Sequence, residues 1–298
     1  MKTAAECLPC VLQRVLEAAG RVTDDPWLRK KVMMDIAAAV VDGSIDFDRS
    51  PAEVTSDALV RACALLSPDP FRDERVRMNE ALRIHHAALV LHLQGQPDPF
   101  EAAVRLAAVS NDTAFLDAPI DPAGLIRAAA ARSFAVNDTG KLRAALAGAR
   151  RVLYMLDRAG EAVADRILIE AIGPERTTAV VRRRPLLREA IESDAVQVGI
   201  PCRIITSGAD APGAPVSSIS LEFRRELDHA DVIIAKGEAA WQTMEEGPWK
   251  AFHLMVAGCP CTARAMRVAA GSALCLGREP VATRVTRKSG GTTVARRA

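Results

Sequence analysis

Aromatic side chains are scarce in this 298-residue chain, at 4% against 49% hydrophobic residues overall. Ala, Leu and Val must carry the packing, which suits helices and a buried parallel sheet. An excess of one charge is also missing: 39 basic residues face 37 acidic ones, for a net charge of +2. That balance, with basic runs only at 182–184 and in the tail 284–297, argues against nucleic acid as the main partner. No apolar run approaches the roughly 20 residues that a bilayer span needs, so no membrane partner is expected. The first ten residues lack a basic stretch followed by a long apolar one, so no secretory signal is read and the chain is expected to be cytoplasmic. Seven cysteines, an odd number, favour thiols or metal ligands over structural disulfides. Several motifs are absent as well. No Gly-x-Gly-x-x-Gly follows an apolar run, which leaves a dinucleotide cofactor unsupported. There is no Walker-type phosphate loop and no Gly-x-Ser-x-Gly elbow, and the five histidines show no ligand-like spacing with a carboxylate.

What is present falls into two rhythms. Up to about Ala149 the apolar residues recur at three- and four-residue steps, as in Leu8, Val11, Leu12, Val15 and Leu16. Helices are expected over 7–19, 26–41, 72–93 (one long helix), 98–109, 122–131 and 138–149. Ser50 and Pro51 open a further one, with Glu53 in its first turn. Beyond Ala149, Val- and Ile-rich runs at 152–156, 178–181, 203–206 and 232–235 alternate with helical stretches, the signature of βαβ units. A further strand is read at 252–256, a helix at 261–270, and a short strand or hairpin with a loose basic tail after 274. The expected fold is α/β, with a helical N-terminal region packed on a three-layer α/β domain whose sheet is mostly parallel. The domain boundary is placed at 149, giving a helical region 1–149 and an α/β domain 150–298.

The stretch 152–169 organises this second half. It is an apolar run, then Asp157, then a small-residue turn through Ala159 and Gly160, then a helix. Strand end and helix start share a crevice in such a unit, so Asp157 lies where the backbone N–H groups of Gly160 and Glu161 would favour an anion. A carboxylate beside an anion site implies a cation between them. The later strand ends contribute Glu189, then Ser207 and Gly208, then Lys236 and Gly237, a set able to hold a divalent cation with phosphate oxygens. The same residues also read as the ordinary polar loops of any α/β protein. Arg182–Arg184 invites a phosphate-binding role, with Arg183 read as a solvated residue. Asn79 on the long helix is compatible with a surface position.

These stretches come in a recognisable order. YMLDRAGEAVADRILIE, VVRRRPLLREAIESDAVQVGI, ITSGADAPG and ADVIIAKGEAAWQTM, preceded by CLPC, SPAEV, DPFRDERVRMNEAL and AAVSNDTAF and followed by FHLMVAGCP, resemble the metal-dependent damage-control phosphatases, formerly domain of unknown function 89. The resemblance spans most of residues 6–260. It implies one divalent cation (manganese, cobalt, nickel or magnesium) and hydrolysis of small phosphomonoesters such as sugar phosphates or damaged phosphometabolites. It implies catalytic roles for Asp157, Glu189 and Lys236, with Asp157 and Glu189 holding the metal. Substrate contacts are expected from Asn111, Gly160, Glu161, Ser207, Gly208 and Gly237.

The chain also departs from the family pattern. The Asn after Asp157 is Arg158, the Asn-Asp pair is Arg188–Glu189, the Asp after Asn111 is Ala114, and the late Lys is Gly258. Downstream of Lys236–Gly237, the usual Asn and acidic residue are Ala240 and Gln242. A guanidinium offers a metal no lone pair, and two unit charges about 4 Å apart interact by roughly 4 kcal/mol at a surface-like dielectric. The alternative is therefore a non-catalytic relative that binds an anionic ligand or a protein partner in the same crevice, with ion pairs Asp157–Arg158 or Glu189–Arg188 in place of the cation. Finally, Cys7 and Cys10 near the start and Cys259 and Cys261 near the end could form a thiolate cluster holding zinc or another metal. Buried thiols acting as small apolar residues are the simpler reading.

Overall fold

The computed structural model describes residues 1–112, 122–245 and 247–279. Seven strands form one sheet: β1 (Phe134–Asn137), β2 (Val152–Met155), β3 (Thr177–Val181), β4 (Arg203–Thr206), β5 (Val232–Lys236), β6 (Ala251–Ala257) and β7 (Ser272–Arg278). Their order is β1-β7-β6-β5-β2-β3-β4. Every pairing is parallel except β6 with β7, so the expected mostly parallel sheet is found.

The strands are buried on both faces because their side chains alternate between two cores. In β2, Val152 and Tyr154 enter one core while Leu153 and Met155 enter the other. The first core is closed by helices that include α6 (Pro99–Val109), α9 (Ala162–Ile172) and α10 (Glu192–Val198). The second is closed by α11 (Leu221–His229), α12 (Gly237–Met244) and Trp249. Trp241 and Trp249 are both buried, the latter donating from its indole N–H to Asp228 at 2.8 Å.

A separate core joins α1 (Cys7–Val22), α2 (Pro26–Val41) and α3 (Pro51–Leu65). Helix α3 starts as its sequence dictates: the Ser50 hydroxyl accepts from the Glu53 N–H, and the Glu53 carboxylate accepts from the Ser50 N–H. Such a cap stabilises by about 1 kcal/mol. Leu186, from the loop after β3, is buried in this helical core. The N-terminal helices thus sit over the loop that carries Glu189.

Two expectations need correction. The segment 72–93 is not one helix but two, α4 (Arg72–Arg83) and α5 (His86–Gln94). Their buried residues Met78, Leu82, Leu89 and Leu93 keep helical phase across the break, which is why periodicity does not reveal it. Strand β1 lies in a stretch left unassigned between α7 (Pro122–Ala131) and α8 (Thr139–Gly148). It is a four-residue edge strand, only partly buried, and pairs with β7. The sheet therefore draws on residues on both sides of Ala149. The substituted position Ala114 and the basic tail fall outside the described residues.

Among the described residues, no helix is long and apolar enough to cross a membrane.

Candidate active site

Strand order fixes the place. From β2 the chain moves outward through β3 and β4, then returns to the other side of β2 for β5 and β6. The order therefore reverses between β2 and β5, and their carboxyl ends border a crevice. Asp157 follows β2, Lys236 ends β5, and Gly237 opens α12 directly after it. Gly237 has φ +80°, and a Cβ there would collide with Asp157 Oδ2. Only glycine lets β5 and the Asp157 carboxylate approach this closely.

Backbone hydrogen bonds bring Asp157 and Glu189 together. The Ala190 N–H donates to the Asp157 carbonyl at 2.8 Å, and the Ala159 N–H donates to the Arg188 carbonyl at 2.9 Å. This lacing of the loops after β2 and β3 sets Arg158 and Glu189 opposite each other as an isolated bridge. Asp157 is 2% exposed and Glu189 6%. Burial, then the Asp157 carboxylate beside it, pushes the Glu189 carboxyl up to about 8. Arg182 reaches the pair from the end of β3, with Nε 3.4 Å from Glu189 Oε2 and Nη2 3.7 Å from Asp157 Oδ1.

Five buried polar atoms here have no hydrogen-bond partner among the described residues: Asp157 Oδ1, Glu189 Oε2, Arg182 Nε and Nη2, and Ser207 Oγ. Ser207 follows the Val181–Thr206 register pair, so it neighbours Arg182 across the sheet edge. Its N–H donates to the Val181 carbonyl at 2.8 Å, but its hydroxyl is buried and unmatched. Gly208 follows in the left-handed region at φ +73°, at a place where a Cβ would also strike Ser220.

A second ionic cluster lies directly beneath. The Lys236 ammonium donates to Glu161 Oε2 at 2.8 Å and to Asp165 Oδ1 at 2.7 Å, and all three side chains are fully buried. The Tyr154 hydroxyl donates to Asp165 Oδ1 at 2.7 Å. Burial opposes the charge on Lys236, but Asp165 and Glu161 outweigh it and raise its pKa. Asn111, at the end of α6, joins the clusters: its Nδ2 donates to Asp157 Oδ2 at 2.8 Å and to Glu161 Oε1 at 2.9 Å.

Sequence reasoning placed Asp157, Glu189, Lys236, Asn111, Glu161 and Gly237 at one locus, and the structure brings them together. Some roles change. Lys236 lies fully buried beneath the crevice, where two of its N–H groups donate to carboxylates. The N–H groups of Gly160 and Glu161 are not open to an anion, because they donate to Asn79 Oδ1 at 2.7 Å and to the Ala159 carbonyl at 3.0 Å. Asn79 is no surface residue: it is fully buried and also donates to Asp194 at 3.0 Å. Arg188 turns away from Glu189 toward Glu17 and Glu74 on α1 and α4. Arg158 turns inward, its Nε 3.9 Å from Asp157 Oδ2.

Arg182, read from the sequence as a phosphate-binding candidate, lies at the site, and one residue was missed as a site member, Asp165. The signal for Asp165 was an acidic residue four positions after Glu161 on the buried face of an apolar helix. Arg183 is, as read, a rim residue, donating to Asp210 at 2.9 and 2.6 Å.

The cysteines gather only in part. Cys7 and Cys259 act on Cys261, whose thiol is pushed up to about 11 by burial first and then by those two neighbours. Cys10 is exposed, whereas its helical neighbour Cys7 is buried. Among the described residues, no group of three or more His, Cys, Asp or Glu side chains is arranged to hold a metal ion.

A divalent cation at the strand ends would therefore rest on two carboxylates, with substrate oxygens and solvent completing its shell. Charge balance tests whether these residues fit one. Five carboxylates, Asp157, Glu161, Asp165, Glu189 and Glu238, face three fixed cations, Arg158, Arg182 and Lys236. Fully ionised, the group lacks two positive charges, and the free oxygens are those of Asp157 and Glu189. The donor set fits a divalent cation there. Cavities also lie away from this crevice: one of about 680 Å³ at the amino ends of β2, β3 and β4, lined by Arg150, Arg176 and Arg203, and one of about 290 Å³ between α5, α6 and α7.

The comparisons with known proteins agree with this architecture. The profile of the damage-control phosphatase ARMT1-like domain matches residues 3–274. A damage-control phosphatase of Pyrococcus horikoshii is 29% identical over 285 residues, covering 93% of this chain and 98% of the relative. One from Archaeoglobus fulgidus is 29% identical over 297 residues, covering 91% and 97%. The crystal structure of a DUF89 family protein from P. horikoshii superposes with a TM-score of 0.85 at 26% identity, covering 93% of this chain and 99% of that one.

Proposed function

The chain belongs to the damage-control phosphatase ARMT1-like domain family, and on that premise we propose that it is a metal-dependent phosphatase of small phosphomonoesters, acting at the crevice between β2 and β5. The observation that carries this reading is the unmatched pair of carboxylate oxygens, Asp157 Oδ1 and Glu189 Oε2, where the loops after β2 and β3 meet. A manganese, cobalt, nickel or magnesium ion bound there would polarise a phosphoryl oxygen and activate water. Asp157 and Glu189 would hold it. Asn111 fixes Asp157 by occupying its other oxygen, and the Lys236 cluster anchors Asn111 from below through Glu161. Substrates are small phosphorylated metabolites, in keeping with the family.

The test is hydrolysis of a panel of phosphomonoesters across these four metals, with Asp157→Asn as control. Metal-dependent turnover abolished by Asp157→Asn supports the reading. No turnover with any metal overturns it.

One observation favours a second reading. Arg158 stands beside Asp157 and also faces Glu189, Glu161 and Glu238, so a guanidinium already supplies positive charge at the crevice. Under that reading the protein binds an anion there without hydrolysing it. Absence of bound divalent metal by mass spectrometry at saturating supply, with phosphate still bound, would favour this outcome.

A further inference from the structure

The five unmatched atoms are of two kinds, and the cation accounts for only one. Asp157 Oδ1 and Glu189 Oε2 are acceptors. Arg182 Nε and Nη2 and Ser207 Oγ can donate, and a cation does nothing for a donor. Arg182 is 1% exposed and Ser207 0%. A buried guanidinium with two N–H groups lacking acceptors is costly unless something occupies them. Nε and Nη2 form one edge of the guanidinium, the fork that pairs with two oxygens of a single phosphate or carboxylate group. Its third nitrogen, Nη1, is tied at 3.4 Å to the Gly213 carbonyl, which fixes the plane of the fork. Glu189 Oε2, 3.4 Å from Nε, and Asp157 Oδ1, 3.7 Å from Nη2, pair with it ionically but accept no hydrogen bond from it.

We infer that Arg182 and Ser207 form the phosphoryl-binding half of the crevice, with the Arg182 fork taking two oxygens of a terminal phosphate and Ser207 a third. This inference deepens the phosphatase reading and rests on it for the class of substrate. The fork and the hydroxyl together use three terminal oxygens, so the half-site accepts a phosphate with one ester arm and refuses a diester, which has only two. Arg182 binds and orients the group, and its positive charge lies next to the carboxylates that would hold the metal.

Equilibrium binding of inorganic phosphate to the full chain tests this, once in EDTA and once with saturating manganese, for the wild type, Arg182→Lys, Arg182→Met and Ser207→Ala. The wild type should bind phosphate in at least one of the two conditions. Arg182→Met should weaken that binding at least tenfold, Arg182→Lys should restore part of it, and Ser207→Ala should weaken it several-fold. Phenyl phosphate should compete and dimethyl phosphate should not. The inference is overturned if wild-type protein binds no phosphate in either condition, or if Arg182→Met binds as the wild type does. Should Arg182→Met fail to fold, Ser207→Ala decides, since it removes one hydroxyl and no charge; unchanged affinity there overturns the inference. Effective competition by dimethyl phosphate would refute the monoester restriction. The two claims fail separately. Arg182-dependent phosphate binding without turnover under any metal sinks the phosphatase reading alone. Metal-dependent turnover with phosphate binding indifferent to Arg182 and Ser207 sinks this one alone.

Discussion

Two ionic clusters lie one side chain apart in this protein, joined by Asn111, and they differ in how fully their atoms are matched. In the lower one, Lys236, Glu161, Asp165 and Tyr154 satisfy one another at 2.7–2.8 Å, leaving only Asp165 Oδ2 without a partner. In the upper one, Asp157, Glu189 and Arg182 stand at 3.4–3.7 Å and leave four atoms unmatched, with Ser207 Oγ beside them. Both are buried. A closed cluster holds the fold together, since removing one partner strands a charge in low dielectric. Under the proposed function, the open cluster of the same charges is completed by a ligand.

The largest effect should come from the closed cluster. Lys236→Met leaves Glu161 and Asp165 buried without a counter-charge, and should cost about 3–5 kcal/mol in urea denaturation. A loss below about 1 kcal/mol would mean that the lower cluster is not the structural one. Next is the junction of β5 with the upper cluster. Gly237→Ala places a Cβ against Asp157 in a backbone region that disfavours it, and should cost about 1–3 kcal/mol by the same measurement. Unchanged stability there would show that Asp157 can move, and that the open geometry is not imposed by the backbone.

His253 sharpens the comparison by separating its acid response from that of the clusters. It lies in β6 with both ring nitrogens unmatched, and burial, aided by Arg278, lowers its pKa from the usual 6.5 to about 3. A depressed folded-state value means that the unfolded chain binds the extra proton first. Its contribution is therefore present above about pH 6.5 and is lost as pH falls toward 3. In His253→Leu, the slope of stability against pH across that window should flatten; a slope identical to wild type would assign the acid loss to the carboxylates. The smallest effect is expected at the rim. Arg183→Ala breaks a solvent-exposed pair with Asp210 and should change stability by less than about 1 kcal/mol.

The parts of this fold that periodicity writes were legible in the sequence. Alternating Val and Ile runs gave the central strands, and Ser50, Pro51 and Glu53 marked the start of α3. Strand β1 was hidden because a four-residue, partly buried edge strand has too little pattern to stand out. The break at residues 84–85 was hidden because the apolar phase continues through it. At the site, Asp157 and Glu189 were readable as strand-end residues in a family's order. The partners of Lys236 were not, since they depend on α9 turning Glu161 and Asp165 onto the end of β5. Arg158 turns inward beside its sequence neighbour Asp157, whereas Arg188 is drawn to α1 and α4 by Glu17 and Glu74, more than a hundred residues distant in the chain.

The central claim is that the upper cluster is open because a cation and a phosphoryl group complete it. The most direct test is the thermal unfolding midpoint of metal-free protein with manganese, with phosphate, and with both, in the wild type and Asp157→Asn. A ligand that binds only the folded state raises the midpoint by mass action. The account predicts that manganese and phosphate together raise the wild-type midpoint more than the sum of their separate effects, and that Asp157→Asn folds normally but loses the joint effect. A wild-type midpoint unmoved by either ligand or by both would contradict it.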